Sequence, residues 1–129
     1  MKRALVVLLA CLFAVGLAST GLAADVKMVL ATGGTAGTYY PFGGAMAKIW
    51  NSKIAGMNVT AQATGASAEN VRLVNKKEAE LAIVQSDTID FAYNAKEAFK
   101  EKLTKMSALA VLYPEVIQVV VRGDSKADS

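Results

Sequence analysis

Residues 26–41 read VKMVLATGGTAGTYYP. Val26 to Thr32 form a short apolar run that stops at Gly33-Gly34, the pattern of a buried strand followed by a turn. From Pro41 onward apolar side chains return at helical spacing, at Phe42, Met46, Ile49, Trp50 and Ile54. This predicts an amphipathic helix that carries Pro41 in its first turn and ends near Gly56. A strand that passes through a glycine-rich loop into a helix is the building unit of a parallel sheet.

The same unit recurs downstream. Met57 to Ala63 (MNVTAQA) predicts a second strand, Thr64-Gly65-Ala66 a turn, and Ser67 the N-cap of a helix running to about Asn75. Ala79 to Gln85 (AELAIVQ) predicts the third strand, and Ser86-Asp87 the cap of a helix from Thr88 to about Ala98. Ser107 to Tyr113 (SALAVLY) and Val116 to Val121 (VIQVVV), separated by Pro114-Glu115, read as two last strands. Trp50 and the methionines at 46, 57 and 106 fit core positions. The expected fold class is α/β: a mostly parallel sheet with helices on both faces, joined by right-handed crossovers.

Upstream of residue 26 the sequence changes character. Lys2 and Arg3 precede the uncharged run from Ala4 to Ala18, and small residues follow through Ala24 before Asp25 opens a charged stretch. Basic, apolar and small-residue regions in that order predict a secretory signal peptide over residues 1–24 and a periplasmic location. The apolar run is shorter than the roughly 20 residues a membrane span needs. Cys11, the single cysteine, falls inside this leader, so the mature chain is expected to have no thiol or disulfide chemistry.

Histidine is absent. A His-based triad and a His-based metal site are therefore excluded, and neither metal nor cofactor is expected. Of 14 basic residues two belong to the leader, against 11 acidic ones. The remainder is close to neutral and has no basic block, a poor basis for binding nucleic acid. Residues 25–121 are expected to form one α/β lobe, and residues 122–129 to begin a linker.

In such sheets ligands bind beyond the carboxyl ends of the strands, so the connecting loops are the candidate site. The first, Gly33 to Tyr40, offers glycines for close approach and hydroxyls at Thr35, Thr38 and Tyr39, and it feeds a helix start suited to an anion. Its spacing departs from the G-x-G-x-x-G of dinucleotide sites, and no acidic residue ends the second strand. The second loop brings Ala66 and Ser67 to another helix start. The third brings Gln85, Ser86 and Asp87, whose carboxylate either caps its helix or meets a ligand ammonium. Glu115, after Tyr113-Pro114, is a second candidate for that ammonium. No nucleophile with an activating partner is present.

Ala31 to Pro41 resembles the opening of the TAXI family of extracytoplasmic solute receptors, which serve TRAP transporters. Gln62 to Asn70, Ala79 to Asp87 and Ala110 to Glu115 are similar to that family's next three segments, in family order. The resemblance implies a lobe of the type II periplasmic-binding-protein fold, with the second lobe missing from this sequence. It also implies a membrane permease as partner and a small carboxylate or amino acid, such as glutamate or glutamine, as solute. Binding roles carry over to Thr35, Thr38, Tyr39, Ala66, Ser67, Gln85, Ser86, Asp87 and Tyr113. Binding without catalysis is the expectation. A small exported enzyme holding a phosphate ester in the glycine-rich loop is the alternative, and an inert truncation product is a third reading.

Overall fold

The computed structural model describes residues 25–125. Residues 1–24, where a signal peptide is expected and Cys11 falls, and residues 126–129 lie outside the described residues. Strands β1 (Val26–Ala31), β2 (Met57–Gln62) and β3 (Leu81–Ala82) alternate with helices α1 (Tyr39–Lys53), α2 (Ser67–Lys76) and α3 (Ser86–Asn94). All strand pairing is parallel, in the order β2-β1-β3. The α/β class read from the sequence is the class observed.

The topology follows from the handedness of the crossovers. From β1 the chain steps outward to β2, then returns across β1 to β3. Right-handed crossovers in opposite directions put α1 on one face and α2 on the other. Alternation along the strands agrees. Leu30, Val59 and Ile83 are buried with Ala47 of α1, and Met28, Met57, Leu81, Tyr39 and Trp50 pack around them. The opposite parity serves the second core, where Val84 meets Val71 of α2, Ala92 of α3, and Phe99 and Leu103 from the segment after α3. Reversal of direction after β2 makes the gap between the ends of β1 and β3 the topological switch point of the sheet.

Helix α1 is turned relative to the sequence reading. Its buried residues are Gly43 and Ala47, while Phe42, Ile49 and Ile54 of the predicted apolar face are exposed. The reason is distance. A Cβ on Gly43 would lie 2.6 Å from Thr32 Cγ2 and 3.2 Å from Leu30 Cδ2, so the small residues let the helix backbone settle directly on β1. The helix also ends earlier than expected. Its C-cap is Ile54, and Gly56 takes a left-handed φ of 77° in the following turn.

One further expectation is corrected. Residues 107–121 form no strand; they have no regular secondary structure and are mostly exposed, with Val111 97% and Ile117 91% accessible. The run is apolar on both faces, the pattern of a strand buried on two sides. Among the described residues Tyr113 and Glu115 meet the lobe, at Phe42 and Tyr39, while the apolar residues on either side of them stay exposed and have no strand to pair with. Arg72 of α2 is fastened across the second core: it donates to the carbonyls of Ala68 and Ala98 and lies 4.7 Å over the Phe99 ring.

Candidate functional site

The loops leaving all three strands meet at one end of the sheet, and a single buried side chain ties them together. Asn70, on α2, is fully inaccessible. Its Nδ2 donates to Thr32 O at 2.5 Å and to Ile83 O at 2.8 Å, and its Oδ1 accepts from Thr64 Oγ1 at 2.6 Å. One amide thus spans the end of β1, the turn after β2 and the exit from β3. Thr32 Oγ1 donates to Gln62 O, and Thr64 N–H donates to Gly33 O, locking the first two loops to each other.

Local hydrogen bonds shape the helix starts. Ala66, the residue before α2, has φ 67° and ψ −153°, a conformation that costs a non-glycine residue about 1–3 kcal/mol. Thr64 Oγ1 accepts the Ala66 N–H, Glu69 Oε2 accepts the Gly65 N–H, and the Ala66 carbonyl accepts from Glu69 and Asn70. Ser67 was expected to cap α2. It is the first helical residue instead, and its Oγ accepts the N–H of Gln85, joining the second loop to the third. Gln85, in extended conformation, precedes α3. The first-turn amides of both helices have no acceptor within their own helix.

Together these loops enclose an open hollow of about 450 Å³ at the switch point. Thr38 and Tyr39 line it from the first loop, Ala66 and Ser67 from the second, and Gln85 from the third; Thr88 and Glu115 complete the wall. Five of the nine residues singled out in the sequence therefore share one surface. Thr35 is exposed at the tip of its loop, outside the lining. Ser86 and Asp87 are also exposed, and Asp87 Oδ1 accepts from the N–H and hydroxyl of Thr88, which uses the carboxylate at the helix start. Tyr113 stands behind the wall, its ring edge-on to Phe42 at 5.6 Å.

Glu115 is held by two phenols. Tyr39 Oη donates to its Oε2 at 3.1 Å and Tyr113 Oη to its Oε1 at 3.2 Å. Burial pushes the Tyr39 hydroxyl up to about 12, with the Ser67 hydroxyl pulling downward and Glu115 adding to the rise. Burial and Glu115 also raise Tyr113. The fold therefore favours the protonated Tyr39. Its contribution to stability is complete below the ordinary tyrosine value of about 10 and fades as pH climbs through about 12. Thermal melts of the wild type and Tyr39→Phe across that window check this: the wild type is expected to lose stability more steeply than the variant.

Asn70 escaped the sequence reading, because a polar residue one turn into a capped helix looks like an ordinary solvated position. Glu115 was noted for its charge alone, and nothing in its neighbours foretold the two tyrosines.

A family model described as the NMT1-like family matches residues 30–129. The chain belongs to the NMT1-like family. It is a periplasmic solute-binding-like family whose members in general bind small molecules without transforming them. The matched range takes in every strand and helix described here except the first residues of β1. The hollow at the switch point accordingly lies in the NMT1-like part of the chain.

Proposed function

We propose that this chain is the extracytoplasmic solute-capturing component of a TRAP-type transporter of the TAXI class. It takes up a small carboxylate or amino acid, such as glutamate or glutamine, and presents it to a membrane permease. Residues 1–24 direct it to the periplasm and are then removed. The observation that carries the reading is the convergence of three loop–helix junctions, at Thr38, Ala66-Ser67 and Gln85, on one hollow. Their amides and hydroxyls suit a carboxylate, and each helix start favours a nearby negative charge by about 0.3–1 kcal/mol. The four segments from Ala31 to Glu115 that resemble the TAXI class support the transporter type.

Affinity is set by how much of a solute one lobe touches. A micromolar site corresponds to about −8 kcal/mol, and half of that gives a dissociation constant near millimolar. Titration calorimetry of the purified chain with L-glutamate, L-glutamine and small dicarboxylates is expected to show saturable binding in that range. Binding of none of them would end the proposal. Genes for a multispanning permease beside the coding sequence would support the TRAP assignment, and their replacement by genes for an ATP-driven importer would remove it.

A further inference from the structure

The charge inside the hollow selects among carboxylates. Among the residues that line it, the one acidic or basic residue is Glu115. No lysine or arginine faces it there. The nearest candidate by sequence, Arg72, is committed to Ala68 O, Ala98 O and the Phe99 ring. The other two carboxylates close to the loops are occupied in shaping helix starts, Glu69 on the Gly65 N–H and Asp87 on Thr88. Glu115 differs because it lines the hollow, held there by the neutral Tyr39 and Tyr113 hydroxyls. They fix the position of the carboxylate and leave its charge uncompensated.

We infer that Glu115 is the specificity-determining counter-charge of the site: it selects a solute that carries a cationic group beside its carboxylate and rejects one that does not. The inference rests on the solute-capture reading above. Such a solute sets its carboxylate against the helix starts and its ammonium against Glu115. A bare carboxylate meets an unneutralised negative charge with no cation in the wall to offset it. The residue first suggested for this role beside Glu115, Asp87, points outside the hollow.

Two probes separate the terms: L-glutamine, and glutaramate, which is the same molecule without its amino group. The wild type is expected to bind L-glutamine at least about tenfold more tightly than glutaramate, the scale of one charge-assisted contact. Glu115→Gln keeps the shape at an exposed position; its amide oxygen still accepts from one phenol, and its amide nitrogen donates to the oxygen of the other. In that variant L-glutamine is expected to weaken by about tenfold while glutaramate tightens, so that the preference disappears or inverts. If both probes tighten alike, Glu115 is an obstruction and not a counter-charge, and the inference falls. Unchanged binding of both also overturns it, with solute capture intact. Should neither protein bind either probe, the capture reading itself fails and takes this inference with it.

Discussion

Asn70→Leu is expected to remove a large share of the stability of the lobe. Leucine keeps the branched outline of asparagine but is larger, so the loss is mainly one of hydrogen bonds, with some overpacking added. Two buried carbonyls, of Thr32 and Ile83, would lose their donor, and the Thr64 hydroxyl its acceptor. Each buried polar group left without a partner costs about 1–3 kcal/mol. Burial of the leucine side chain offsets part of this, leaving a net loss of about 3 kcal/mol. A domain of this size has roughly 5–15 kcal/mol in all. The melting temperature is expected to fall by about 12 °C or more. Asn70→Asp tests the direction of the bonds. It retains the acceptor for Thr64 but sets oxygen against the two carbonyl oxygens, and it should be no more stable than the leucine variant. A fall of only a few degrees in either would show that the three loops are joined by something else.

The second large effect concerns the seat of α1. Gly43→Val would drive a branched side chain into the space now filled by Thr32 Cγ2 at 2.6 Å and Leu30 Cδ2 at 3.2 Å from the Cβ position. Removing a helical glycine ordinarily stabilises by up to about 1 kcal/mol. Overpacking of a filled core costs about 1–3 kcal/mol and wins here. A loss of about 2–3 kcal/mol is expected for valine and a smaller one for alanine, measured by denaturant unfolding. The contact names its own rescue. Thr32→Ser deletes the methyl that a Gly43→Ala side chain would strike while keeping the hydroxyl that donates to Gln62 O. Gly43→Ala should therefore be better tolerated in the Thr32→Ser background than alone, and strictly additive effects would contradict the close-approach account.

These two positions mark the border of what the sequence discloses. Periodicity found every strand and helix from Val26 to Asn94, because each carries its own turn chemistry and apolar spacing. It also brought Thr38, Tyr39, Ala66, Ser67 and Gln85 to one sheet edge, since in a parallel sheet every strand-to-helix loop exits at the same end. Periodicity misjudged the seating of α1 because it weights bulk, and the sheet-facing stripe is made of the small residues Gly43 and Ala47. It passed over Asn70, whose role depends on partners 38, 13 and 6 residues away in sequence. Residues 107–121 have the composition of strands, yet a strand exists only where a neighbour accepts its hydrogen bonds.

That last point bears on which flank of the sheet can grow. On the outer side of β2, Asn51 of α1 takes both backbone groups of Val59: its Nδ2 donates to the carbonyl at 2.9 Å, and its Oδ1 accepts the N–H at 2.7 Å. A side-chain amide there imitates the missing neighbour and blocks recruitment of another chain. Among the described residues no such plug sits beside β3. Any added ribbon, whether from this polypeptide or another, is thereby steered to the β3 flank, and the mouth of the hollow stays where it is. The lobe has a closed border and an open one, and its expansion runs one way.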